Sequence, residues 1–176
     1  MQACSVTVHD RDGDIVLTRE DLLKYATKEN VIASALMIRL CRFTFSQLSP
    51  QEPVRRRELY WQVGFPGPGI LDCVEMVSHA VRDGRCLQNP TLSHPEADAP
   101  ASLVGSFLFE IGYRGKTLVV WPDKSVLDDE FRSQVSTWQA VEEGSEGYDA
   151  YLEYKAGKVR QIMTMPDEAL FHFAWK

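Results

Sequence analysis

From Val31 to Phe45 the chain is apolar on nearly every side of a helix. A helix without a broad polar face has to be covered on most sides, by other elements of its own chain or by a partner. That requirement limits the fold to one that wraps a central helix, and it predicts a homodimer if a single sheet face is the only cover. The longest candidate for a membrane span, Val31 to Cys41, is interrupted by Ser34 and Arg39. It falls short of the roughly 20 apolar residues a bilayer needs, so no membrane partner is expected.

The 176 residues are 44% hydrophobic and 25% charged. This is globular composition, enough for a sizeable core without disulfides or metals as staples. Lys and Arg total 19 against 25 Asp and Glu, a formal charge of −6. An acidic chain lacks the basic footprint of a nucleic-acid binder and gains nothing at an anionic membrane. The run Arg55, Arg56, Arg57 is the only basic cluster, and a solvated loop is its ordinary reading. Cys4, Cys41, Cys73 and Cys86 form no C-x-x-C pair. Four free thiols in a reducing compartment are expected, with a Cys73–Cys86 disulfide as the alternative. The start, Met1 to Cys4, has no basic residue and no long apolar stretch, so no signal peptide is expected and the location is read as cytoplasmic.

Ser5 to Val8 alternates as a short strand, and Arg11 to Asp14 is turn chemistry. Thr18 before Glu20 and Asp21 reads as a helix cap. The helical pattern runs to about Leu48, with a break near Lys28–Asn30. Glu58 to Phe65 alternates as a strand, then Gly64 to Gly69 opens onto a helix from Ile70 to Arg82, stopped by Asp83 and Gly84. Arg85 to Leu87 is a short strand, and 88–104 is a loop. Gly105–Tyr113 and Lys116–Trp121 form a hairpin about Arg114 and Gly115. A helix spans Ser125 to Val141, Glu142 to Gly147 is a linker, Tyr151 to Tyr154 is helix or strand, and a last amphipathic helix begins at Met165. Strands and helices do not alternate throughout. The class is therefore α+β, an α-β-α-β-β-β core with a mixed sheet packed by helices and C-terminal helical additions. Residues 1–141 make the domain, and 142–176 are an extension packed on it.

Chemistry concentrates on the segment from Gly64 to Arg82. A glycine-rich turn feeding a helix N-terminus brings unpaired N–H groups close to a ligand. Gly67 and Gly69 are the candidates there, although the segment is neither a P-loop nor G-x-G-x-x-G. On the helix, Cys73, Met76, Val77 and Ala80 form a core stripe, and Asp72, Glu75, His79 and Arg82 a polar one. Asp72, Glu75 and His79 are candidate ligands for a divalent metal. An ordinary surface pair between Glu75 and His79 competes with that reading. His9, His94 and His172 are scattered, and a Cys–His nucleophile needs a proximity that spacing does not supply.

The stretch GPGILDCVEMVSHAVRDGRCL, Gly67 to Leu87, resembles the central motif of the formylmethanofuran dehydrogenase E-subunit family, D-S-C-A-V-D-A-I-Q-x-x-x-G-C-T-x-G-K-G-N-L. Asp72 falls on the family's aspartate, Glu75 on its glutamine, and Gly84 and Leu87 on its closing glycine and leucine. Ala35 to Arg39 resembles the family's A-L-G-x-R, which puts Arg39 beside Gly67, Gly69 and Asp72 as a candidate ligand-binding residue. The resemblance covers roughly residues 20 to 122 and implies an α-β-α-β-β-β core. The family's H-G-H falls on Thr27–Glu29 and its motif cysteines on Gly69 and His79, so its metal ligands are absent. Glu29, Asp72, Glu75 and His79 are the residues available to rebuild a site. Three functions follow: a small-ligand or metal-binding accessory module without its own catalysis, a metal-dependent enzyme using Asp72, Glu75 and His79, or one component of a larger redox complex.

Overall fold

The computed structural model describes residues 4–176, so the leader reading at Met1–Ala3 lies outside the described residues. Strand β1 (Ser5–Asp10) and strand β2 (Gly13–Thr18) form a hairpin. Thr18 then caps helix α1 (Arg19–Ala26): its hydroxyl accepts from the Asp21 N–H, and Asp21 accepts from the Thr18 N–H at 2.8 Å. This reciprocal pair is a capping box, and it fixes the start of the helix where Thr18 predicts it. The expected break follows. The Asn30 side-chain amide donates to the Ala26 carbonyl and so closes α1 before helix α2 (Val31–Leu48) begins.

Helix α2 is long and apolar enough, by length and composition alone, to cross a membrane. Here it is a core helix, 67% buried. Ser34 to Cys41 form an unbroken buried run under α1, β1 and three elements that follow it in the chain: helix α3 (Pro68–Ser78), strand β7 (Lys116–Pro122) and helix α5 (Tyr148–Thr164). Within the chain α2 is covered chiefly by α5.

Strand β3 (Val54–Arg55) pairs with β1 in a small sheet of order β2-β1-β3. The main sheet combines strand β4 (Leu59–Val63), strand β5 (Cys86–Gln88), strand β6 (Phe109–Tyr113), β7 and strand β8 (Phe171–Trp175), in the order β5-β4-β6-β7-β8. Within this sheet only β4 and β5 run parallel; its other pairs are antiparallel. From α2 the succession α2-β4-α3-β5-β6-β7 is the expected α-β-α-β-β-β core. Alternation places Leu59, Trp61, Ile111, Leu118 and Val120 in the main core, while Leu108, Val119, Trp121 and Ala174 form a second cluster under Leu92, Ala97 and Ala99 of the long loop.

Several segments differ from expectation. Helix α4 is Asp129–Trp138, because Asp123 first accepts from the Ser125 N–H and hydroxyl in a turn and Asp128 is the actual cap, accepting from the Phe131 N–H at 2.9 Å. The last amphipathic helix is a single turn, α6 (Asp167–Leu170). After it, Phe171, Phe173 and Trp175 alternate with His172 and Ala174 as β8, and Phe171 stacks on Phe43 of α2 at 5.5 Å. An open edge of β7 and a period of two outweigh the helical start signal. Finally, Arg56 is buried rather than solvated: it sits in a 3-10 turn (Arg56–Glu58) and donates to the Val77 carbonyl at 2.9 Å, to the Met76 carbonyl and to Asp10 at 3.4 Å.

Candidate functional site

Helix α3 organises both ends of the candidate region. Its C-terminal end comes at Ser78, earlier than Arg82, with His79 in the left-handed conformation at φ 55°. The Glu75 carboxylate accepts from the Arg82 N–H at 2.9 Å and so folds the chain back over the last turn. Arg56 takes the Met76 and Val77 carbonyls, and Arg85 donates to the Ser78 carbonyl at 2.7 Å. These are the carbonyls that a helix leaves unpaired, and guanidinium groups also suit the negative end of its dipole. Asp10 receives Arg57 at 2.9 Å as well as Arg56, and Arg57 foremost holds its carboxyl down at about 2.

The proposed metal triad is not assembled. His79 Nδ1 lies 3.5 Å from Glu75, an i,i+4 pair, but Asp72 does not join them. Among the described residues no group of three His, Cys, Asp or Glu side chains is placed to hold a metal ion. Glu29 sits beside the start of α3, next to Asn30, which lies over Gly69. Arg39 faces the C-terminal segment. It is buried and donates to the Ile162 and Met165 carbonyls and to Asp167, each at 2.6 Å, which fastens the C-terminal segment to α2. The four cysteines are free. Burial pushes the Cys73 thiol up to about 12 and the Cys86 thiol to about 11, so neither is a ready thiolate. His9 bonds Asp14 across the first hairpin, His172 bonds Asp123 across β7 and β8, and His94 accepts from the Glu96 N–H within its loop.

At its N-terminal end α3 faces a cleft. Gly67 is the N-cap without a side-chain cap, and Pro68 is the first helical residue. The first N–H groups of the helix, at Gly69 and Ile70, precede the first i→i−4 bond, which Leu71 makes to the Gly67 carbonyl at 3.0 Å. A side chain at either position would displace a neighbouring side chain. A Cβ on Gly67 would lie 2.6 Å from the Phe65 ring, and one on Gly69 would lie 2.6 Å from Asn30 Cγ. The α1–α2 connection and Phe65 thus fold directly over the helix start.

The cleft has a volume of about 830 Å³ and includes Gly67, Pro68 and Gly69 in its wall. One side is a run of rings in edge-to-face contact, Phe65–Phe107 at 4.9 Å and Phe107–Phe131 at 5.9 Å. The other is Trp138 stacked on Tyr151 at 6.1 Å, with Tyr148 edge-on to Tyr151. Lys155 lies among them, 8% exposed. Its ammonium stands 4.8 Å from the Tyr151 ring centroid and donates to the Glu29 carbonyl at 3.2 Å. Burial lowers its pKa, opposed by the Glu29 charge. The exposed carboxylates Glu29, Glu142 and Glu143 belong to the rim.

Sequence alone locates Gly67 and Gly69 but not the opposite wall. Trp138 and Val141 fall at the close of an expected helix, and Tyr151–Tyr154 carries no assigned role. The signal that points there is the stripe Tyr148, Tyr151, Lys155, Lys158 and Ile162, which places two lysines on the packed face of one helix. No protein-family model matches the chain, and no curated protein matches it.

Proposed function

We infer that this chain is a small-ligand-binding module, without its own catalysis, on an α+β core of the formylmethanofuran dehydrogenase E-subunit type. The carrying observation is the aromatic-walled cleft of about 830 Å³ at the uncapped start of α3. Binding sites for small organic molecules are clefts of about 300–1,000 Å³ with mostly apolar walls and a few convergent polar groups. Gly67 and Gly69 contribute by letting Phe65 and Asn30 close over the helix end, and the ring-lined walls suit a planar, largely apolar ligand. The kinship is supported by the order α2-β4-α3-β5-β6-β7 together with the likeness of Gly67–Leu87 to the family motif. A cytoplasmic setting is supported by the buried free thiols of Cys41 and Cys73.

The test is a ligand-observed NMR screen of aromatic fragments against the full chain and against Ala33→Trp, which places an indole inside the cleft. Fragments that bind the wild type and are lost in a folded Ala33→Trp protein support the reading. Equal binding to both proteins, or none to either, overturns it.

A further inference from the structure

The two buried lysines of α5 differ in one respect. Lys158 has a carboxylate, Asp128, at 3.6 Å. Lys155 is as deeply buried as Lys158, and its contacts are one backbone carbonyl and the face of one ring. An ammonium has three protons to donate, and a buried charge is costly unless an opposite charge or several hydrogen bonds compensate it. Lys155 meets only part of that need, at the wall of a cleft. The second feature is the α3 start. The Lys28–Asn30 connection joins the two: the Glu29 carbonyl receives the Lys155 ammonium, and the neighbouring Asn30 lies over Gly69. The positive end of the α3 dipole and an ammonium with no carboxylate within salt-bridge distance thus flank the same short segment of cleft wall. The acidic side chains there, Glu29, Glu142 and Glu143, are exposed to water at the rim.

We propose that the cleft takes an amphipathic organic anion, a planar aromatic body bearing one carboxylate, whose carboxylate pairs with Lys155 beside the start of α3. This rests on the reading of the cleft as a ligand site and adds the charge of the ligand to it. The aromatic body occupies the space between the Phe65–Phe107–Phe131 rings and the Trp138–Tyr151 stack. The carboxylate accepts from the ammonium protons that Glu29 leaves free.

Three fluorescent probes with one body and different heads separate the charge claim from the cleft claim: 1-pyrenebutyrate, 1-pyrenebutanol and 1-pyrenebutylamine, each titrated against the full chain. The expected order is butyrate tightest, by about tenfold or more over butanol, as one charge-assisted pair provides. Lys155→Met is expected to remove that preference, and Lys155→Arg to retain it. The preference is read on wild-type protein, so it is measurable even if a variant folds poorly. Equal affinity for all three probes overturns the anion assignment and leaves the cleft reading standing. Tightest binding of the amine overturns it in favour of the acidic rim. No saturable binding of any probe overturns both readings.

Discussion

The two ends of helix α3 are built on opposite plans. At the C-terminal end each exposed carbonyl has a guanidinium: Arg56 on Met76 and Val77, Arg85 on Ser78, with Asp10 and Asp83 balancing the arginines. At the N-terminal end nothing caps the helix, rings replace ion pairs, and one buried lysine faces the cleft without a carboxylate of its own. Satisfied groups hold a structure together and have little left to offer a ligand. Unsatisfied groups cost stability and are available for one. On the proposed reading, stability resides at one end of a single helix and recognition at the other.

The largest effect is expected at the closed end. Arg56→Ala strips the Met76 and Val77 carbonyls of their partner inside a buried site and leaves Asp10 with Arg57 alone, a loss of about 2–4 kcal/mol. Chemical denaturation measures it, and a loss below about 1 kcal/mol would deny that end its structural part. Gly69→Ala comes next, at about 1–3 kcal/mol, because the new methyl overlaps Asn30. Its effect is local to the open end, so it should also disturb fragment binding, whereas Arg56→Ala, studied where it remains folded, should not. Asp10 contributes to the pH dependence, as does Asp123, whose carboxyl Ser125 and His172 also hold at about 2. The folded pKa of Asp10 is depressed to about 2 from 3.8, so its contribution is present in full well above the unfolded value and is lost as pH falls through the folded one. The contribution is about 2 kcal/mol, and Asp10→Asn should make the acid limb of the stability curve shallower. An unchanged acid limb would mean that the Arg57 contact contributes nothing in solution. The smallest effect is Lys155→Met, which removes a charge that burial disfavours and keeps most of the stem. Stability is expected to hold or rise by up to about 1 kcal/mol. A loss above about 2 kcal/mol would make Lys155 a structural residue and erase the contrast between the ends.

Local signals are legible where a side chain acts on its own neighbours. Thr18 and Asp21 cap α1, Arg114 at φ 48° and Gly115 at φ 79° turn the β6–β7 hairpin, and the break before α2 lies where Lys28–Asn30 suggests. The α-β-α-β-β-β core follows from such signals joined in order. What escapes them depends on distant partners. Arg39 reaches Asp167 across 128 residues and Arg56 reaches Asp10 across 46, so neither arginine declares itself as buried in its own segment. Gly84 does mark a turn at φ 71°, but α3 has already ended at His79, where Glu75 draws back the Arg82 N–H. The final strand is masked by a proline and two acids that start only one helical turn. The cleft is half legible: Gly67 and Gly69 stand out in sequence, whereas Phe107 reaches Phe65 from the segment before β6, and Trp138 and Lys155 join them only through the packing of α4 and α5.

The most direct test of the cleft as the functional end is chemical-shift mapping. The full chain, labelled with nitrogen-15, is titrated with the tightest aromatic fragment. The account predicts that the largest amide shifts fall on Gly67–Leu71 and Tyr151–Lys155. Shifts concentrated instead on the outer sheet surface at Tyr60, Arg114 and Lys116, with α3 and α5 unmoved, would contradict it.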